Sequence, residues 1–424
     1  MMPPNSRLAR TTALDSCLLC AAIMAACSGL ARKDPPLPLY AAALPPGFPS
    51  SVRWAGEMPR QDFINRLAPQ LRHIGRSAKD GRPDILVLSG GGVGGAFGAG
   101  VLSGWSRLGT RPSFEVVTGV SAGALIAPFA FLGPAWDAPM VEAFSAPRTR
   151  RLLRPRWLAA PFGASLYQGK PLRELVDSFV TERLLRAVAA ESSKGRLLLV
   201  ATTDLDSEQT VVWNMGAIAE RGGSAALKLF RDVLTASASV PGFFPPVLIH
   251  VEAAGRVFDE MHVDGGTTAP LLFAPGMMSV LSDRFVPLRG GNVYMVVDGQ
   301  LREPLRITPV RTMPIFLRGL TAALDSDMRS RLALAYSFSR RHGMRLRVTV
   351  VPADYPYRSL LDFGPSEIKA LFDYGRRCAF QRRAWADVLD ILEAAAKPRT
   401  PARAALPDCP AKFNISQGPR SLRP

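Results

Sequence analysis

The chain has 424 residues, 47% hydrophobic and 21% charged, with 52 Lys and Arg against 35 Asp and Glu for a formal net charge of +17. This composition is too apolar for a disordered chain, and the length needs no disulfide framework to support a core. One large domain or several smaller ones would fit, and the charge suits nucleic acid, an anionic membrane surface or solubility alone.

Arg7 and Arg10 precede an uncharged apolar stretch over 16–31. It is shorter than the roughly 20 residues of a bilayer-spanning helix and ends in small residues, as a secretory signal does. Residues 1–26 therefore read as a signal peptide of the lipoprotein type. Met24-Ala25-Ala26-Cys27-Ser28 resembles a bacterial lipobox. Cys27 is then the expected lipidation site and the bacterial cell envelope the expected location, the outer membrane ahead of the inner. An ordinary signal with an incidental cysteine is the alternative. Cleavage before Cys27 removes Arg7, Arg10 and Asp15 and leaves +16 on the mature chain. Cys378 and Cys409 remain, and whether they pair is open, because Cys409 lies in a Pro-rich tail. No Cys/His spacing suggests a metal site.

Residues 27–80 form a Pro/Ala-rich spacer and lead-in, with an amphipathic piece over 62–74. From 81 to 396 strands and helices alternate, the pattern of one α/β domain. Short apolar runs bounded by turn residues predict buried parallel strands over 85–88, 115–118, 197–202, 293–297 and 346–351. Helices are predicted over 172–185, 320–339 and 368–396. Residues 397–424, rich in Pro and Arg, read as a disordered tail.

The first strand runs into "SGGGVGGAFGAG", a glycine loop opening a helix. Amides at a helix start favour negative charge, so Gly90, Gly91, Gly92, Val93 and Gly95 could hold a phosphate or an oxyanion. Gly90, Gly92 and Gly95 also satisfy a dinucleotide fingerprint, with Glu115 some way on. Alone, the loop is a nucleotide cradle, an oxyanion hole or a tight turn. The next strand leads into Gly119-Val120-Ser121-Ala122-Gly123 before an apolar helix. G-x-S-x-G in strand–turn–helix context is a nucleophile elbow, whose glycines allow close backbone approach around a projecting hydroxyl.

A serine nucleophile needs a proton acceptor. His342 reads as a helix C-terminus before Gly343, His73 precedes the domain, and His250 and His262 read as structural. Asp264 ends an extended stretch on a glycine turn, Asp264-Gly265-Gly266, from which a carboxylate can approach another loop. Asp298-Gly299 reads as a plain turn.

With these pieces in order, the chain resembles the patatin-like phospholipases. Their glycine loop, G-x-S-x-G elbow and D-G-(Gly/Ala) motif match Gly90–Gly95, Gly119–Gly123 and Asp264–Gly266, and "ASASVPGFFPPV" from Ala236 matches a further segment. The similarity spans roughly residues 81 to 390. It implies a three-layer α/β/α sandwich with a mainly parallel central sheet, a Ser121–Asp264 dyad, and serine lipid acyl hydrolysis without metal or organic cofactor. Gly94 departs from the family pattern, where many members carry Arg or Lys, and Thr267-Thr268 replaces an Asn-containing continuation.

A membrane lipid is the implied substrate and an anionic membrane surface the implied partner, with no nucleic-acid module and no reading of oligomeric state. The stretch 124–136 reads equally as acyl site or core, and 269–281, with Met277 and Met278, reads more as acyl site. The cationic run from Pro147 reads as a lipid contact or a solvated loop. The competing functions are a non-catalytic lipoprotein on the same scaffold and a nucleotide-binding oxidoreductase.

Overall fold

The structure is a computed structural model, and it describes residues 32–56, 68–145, 148, 152–154, 164–273, 288–302, 304–305, 307–356, 364–397 and 406–410. The signal segment, Cys27, Met277 and Met278 lie outside the described residues. So do most of the tail and most of the run from Pro147.

Among the described residues nine strands form one sheet: β1 Arg53–Ala55, β2 Asp84–Leu88, β3 Val116–Val120, β4 Leu197–Asp204, β5 Gln209–Asn214, β6 Val247–Ala253, β7 Arg256–Asp264, β8 Asn292–Val297 and β9 Arg345–Val350. The order is β1-β5-β4-β3-β2-β8-β9, with β7 on β4 and β6 on β7. From β4 through β9 the pairings along this path are parallel, and β1, β5, β6 and β7 pair antiparallel.

Alternate residues of the parallel strands enter cores on opposite faces, because successive side chains of a strand point opposite ways. Leu86, Leu88, Val117, Leu198 and Val200 pack in one cluster. Their neighbours Ile85, Val87, Val116, Leu197 and Leu199 pack in the other.

Helix α1 (Ala68–Ser77) lies on the second face. The first face takes α2 (Gly95–Arg107), α3 (Ala122–Leu132), α4 (Asp137–Ala143), α5 (Lys170–Phe179), α6 (Glu182–Ser192), α7 (Met215–Arg221) and α8 (Gly223–Ser237). Helix α9 (Thr312–Arg341) returns to the second face, α10 (Pro365–Phe380) packs on α2, and α11 (Val388–Ala396) joins α9. The result is the expected α/β/α sandwich around a mostly parallel sheet.

Two predicted helices are each broken in two. The span 172–185 ends at Phe179, and Thr181 caps the next helix by accepting the Leu184 amide on its hydroxyl. A β-branched capper competes with helix continuation at that point. The span 368–396 ends at Phe380, because Ala386 bridges to Val348 at the sheet before α11 starts, capped by Asp387. The predicted amphipathic piece falls partly outside the described residues, and α1 begins at Ala68.

Cys378 and Cys409 form a disulfide across 31 positions. The tail is therefore fastened there, and the Asp408 carbonyl accepts the Tyr374 hydroxyl at 2.7 Å. Closing a loop of that length is worth about 3–4 kcal/mol in chain-entropy terms. Cys409→Ser, or reductant, is expected to lower the thermal midpoint measured by calorimetry, and an unchanged midpoint would contradict this.

Candidate active site

The strand register brings Ser121 and Asp264 together. β5 holds one edge of β4, and β3 holds the other only as far as Val120 opposite Ala201. Beyond that point β7 takes over the same edge, with Asp264 opposite Thr202. Ser121, one residue past β3, thus meets the end of β7. Its Oγ donates to Asp264 Oδ2 at 2.5 Å, and both residues are buried.

Ser121 sits at φ 53° and ψ −123°. That left-handed conformation at a non-glycine residue is strained, and strain of this kind persists only where the surroundings enforce it. Here the Ser121 amide donates to Ser237 Oγ at 3.0 Å, and Ser237 Oγ donates to the Ala201 carbonyl at 2.7 Å. The flanking glycines are needed because a Cβ on Gly119 would lie 2.6 Å from the Gly123 carbonyl, and one on Gly123 2.5 Å from that of Ser89.

Asp264 is held from its own side. Its amide donates to the Ser239 carbonyl at 2.8 Å, and its Oδ1 accepts the Gly266 amide at 2.7 Å. Gly265 passes so close to β4 that a Cβ would lie 2.3 Å from the Ala201 carbonyl. Burial raises the Asp264 carboxyl to about 7, against the opposing hydrogen bonds from Ser121 and Gly266. Burial disfavours the carboxylate because it removes the water that solvates the charge.

The glycine loop passes above β2 beside Ser121. Two of the expected donors are already committed. The Gly90 amide donates to the Pro270 carbonyl, and the Gly95 amide to those of Gly92 and Val93. Gly90 and Gly95 therefore drop out of the expected oxyanion donors. The loop rests on Asp298, where a Cβ would lie 1.5 Å from the Asp298 carbonyl at Gly91 and 1.9 Å at Gly94. The absence of an Arg or Lys at position 94 thus has a steric cause.

Asp298 is not the plain turn its sequence suggests. It is fully buried at the end of β8, and its amide donates to Ser89 Oγ at 2.9 Å. Neither carboxyl oxygen has a well-formed hydrogen bond, and a Cβ on Gly98 would lie 2.2 Å from Oδ1. Burial pushes this carboxyl well above the ordinary range, opposed by the nearby Gly98 amide.

The histidines lie elsewhere. His262 is buried between Thr202 Oγ1 at 3.0 Å and Glu260 Oε2 at 3.2 Å, and His250 pairs with Asp259. His342 caps the C-terminus of α9, as expected.

Two cavities meet at Ser121. A small apolar one of about 70 Å³ lies between α2, α3 and α5 and is lined by Ala96, Leu125, Leu152, Leu172, Ala238 and Phe244 among others. A groove of about 660 Å³ opens past Asp264 and Gly266 along the first half of α9, with Phe243, Leu317, Leu320 and Leu324 in its walls. Most of the stretch 124–136 proves to be core, with Leu125 its contribution to the small cavity. Leu152, from the cationic run, is buried beside Leu172 and Phe244. Sequence reasoning missed Ser237, the buried Asp298 and the part played by α9. Only Ser237 carried a signal, within the segment from Ala236.

A buried serine on a strained strand-to-helix turn, facing a carboxylate at the rim of an apolar groove, is the geometry of a hydrolase-type α/β site. Residues 86–275 match the model of the patatin-like phospholipase family. That match supports lipid acyl hydrolysis in general terms. Among solved structures, VipD from Legionella pneumophila is similar at 12% identity and a TM-score of 0.30, over 69% of this chain and 67% of that one. No curated protein sequence matches.

Proposed function

We propose that the protein is a serine hydrolase of membrane lipid esters, of the phospholipase A, lysophospholipase or esterase type, using Ser121 as nucleophile and Asp264 as its base. The observation that carries this reading is the 2.5 Å hydrogen bond from Ser121 to Asp264 at the strained elbow. Ser121 Oγ attacks the ester carbonyl while its proton passes to Asp264. A base with a pKa near 7 combines availability at neutral pH with proton affinity. The oxyanion is held by amides of Gly91, Gly92 and Val93 and by that of Ala122 at the start of α3, each worth roughly 3 kcal/mol in comparable sites. Asp264 then protonates the leaving alcohol. A water molecule, losing its proton to Asp264, attacks the acyl-enzyme, and Asp264 passes that proton to Ser121 Oγ as the fatty acid leaves.

The small cavity receives the part of the acyl chain next to the carbonyl, and the α9 groove the rest of the lipid. Ala238→Phe fills the former. It is expected to shift preference toward shorter acyl chains by about tenfold or more in kcat/KM, since a methylene is worth roughly 1–3 kcal/mol in such a pocket. Equal losses across chain lengths would overturn the assignment.

The chain is exported and processed at Cys27 in this reading, which the Cys378–Cys409 disulfide supports, because disulfides persist in oxidising compartments. Mass spectrometry of the mature N-terminus tests the processing. For the chemistry, a fluorophosphonate probe is expected to label the folded protein at Ser121, mapped by peptide mass. Labelling lost in Ser121→Ala supports the nucleophile, and an unlabelled folded chain rejects it in favour of the non-catalytic scaffold.

A further inference from the structure

The first half of α9 and the segment leading into it present apolar side chains to solvent. Ile307 is 91% exposed, Val310 93%, Phe316 60% and Ile315 52%. The first buried residue of α9 is Met328, more than four turns into the helix. Single exposed apolar residues are ordinary, but a continuous run of this kind marks an interaction surface.

The same stretch walls the groove that leads to Ser121. Ile307, Pro314, Phe316, Leu317, Leu320 and Leu324 line it, whereas Val310 and Ile315 do not. The apolar face and the mouth of the groove are therefore continuous. Residues 307–318 carry two arginines and no acid, and the nearest acid on the groove wall, Asp325, lies two turns farther along α9. Arg311 stands at the start of α9 and Arg318 within it.

From this juxtaposition, and resting on the lipid-hydrolase reading, we infer that the segment 307–318 seats the enzyme on the surface of an anionic phospholipid bilayer, with the groove opening toward the lipid. Moving an acyl chain from bilayer to water costs roughly 0.8 kcal/mol for each CH₂, so a groove that opens at the interface avoids that cost. Apolar side chains enter the headgroup boundary while the arginines meet lipid phosphates, an arrangement typical of interfacial helices. A second copy of the chain is disfavoured as occupant, since two such faces would oppose cationic rims.

The test uses the full chain and phosphatidylcholine vesicles with and without phosphatidylglycerol. Val310→Trp is expected to blue-shift and to be quenched by brominated lipid on anionic vesicles. Phe380→Trp, at the end of α10 on the other helical layer, is expected to do neither. Read as the difference from the wild-type chain, whose six tryptophans set the background, this readout is local, so the N-terminal segment does not confound it. Val310→Asp combined with Ile315→Asp is expected to lower hydrolysis of vesicle lipid about tenfold or more, by loss of interfacial insertion. Its rate on a soluble short-chain ester is expected to stay at the wild-type level.

Equal quenching at both tryptophans, or equal loss on vesicle and soluble substrates, would overturn the inference. A concentration-dependent dimer abolished by the two aspartates would do so as well. Failure of the lipid-hydrolase reading looks different: no ester is cleaved, yet Val310→Trp is still quenched, and the surface assignment stands.

Discussion

Ser121→Ala is expected to reduce turnover on lipid esters by about 10⁴-fold or more while leaving the fold intact. The magnitude follows from removing the only atom that bonds covalently to the acyl group in the proposed mechanism. What remains is stabilisation by loop amides and binding, which supplies a modest residual rate. The fold survives because the elbow is held by backbone groups. The Ser121 amide still donates to Ser237 Oγ, and its carbonyl still accepts the Ala124 and Leu125 amides. Steady-state kinetics on a lipid ester, with circular dichroism of the variant, measure both halves. A folded variant with wild-type turnover would place the chemistry elsewhere.

Asp264→Asn is expected to abolish most activity and to stabilise the protein. An amide accepts the Gly266 amide as the carboxylate does, and it can donate to Ser121 Oγ, but it cannot take a proton. A loss of about 10²–10⁴-fold in kcat is the usual scale for a missing general base.

The stability gain has a definite pH window. The folded-state value of the Asp264 carboxyl is about 7, above the roughly 3.9 of an unfolded Asp. The native state therefore holds the proton more tightly. Wild-type stability falls as pH rises from about 4 to about 7 and is level beyond. At about 1.4 kcal/mol per unit, relief of this penalty approaches 4 kcal/mol. Denaturant melts at pH 5 and pH 8 are expected to show the variant more favoured at pH 8, and a gap independent of pH would refute the assignment. Wild-type kcat/KM is expected to rise through an apparent pKa near 7. With Thr202 and Glu260 occupying His262, that rise is expected to vanish in Asp264→Asn.

The parallel strands were readable within a residue or two, because a strand buried on both faces is a short apolar run whatever its neighbours are. The elbow and the Asp264 turn were readable for a related reason. Close backbone approach leaves glycines at fixed local spacing, as at Gly119, Gly123 and Gly265. Helix ends at Phe179 and Phe380 were not, since the second depends on Ala386 reaching Val348 at the sheet. The strands β5 and β6 escaped notice too, β5 because it opens on the polar, less buried Gln209-Thr210, and β6 because His250 and Glu252 are exposed at alternate positions.

By itself the sequence determined the α/β alternation, the Ser121 elbow, the Asp264 turn and the glycine loop, because each leaves its residue types at a short, fixed spacing along the chain. Only the tertiary structure decided that β7 continues the edge of β4 where β3 stops, which joins Ser121 to Asp264 across 143 positions. It alone decided that Gly90 and Gly95 donate elsewhere, that Asp298 is buried beneath the loop, and that Cys409 reaches Cys378. These depend on which distant backbone groups become neighbours, and a linear pattern of residue types carries no record of that.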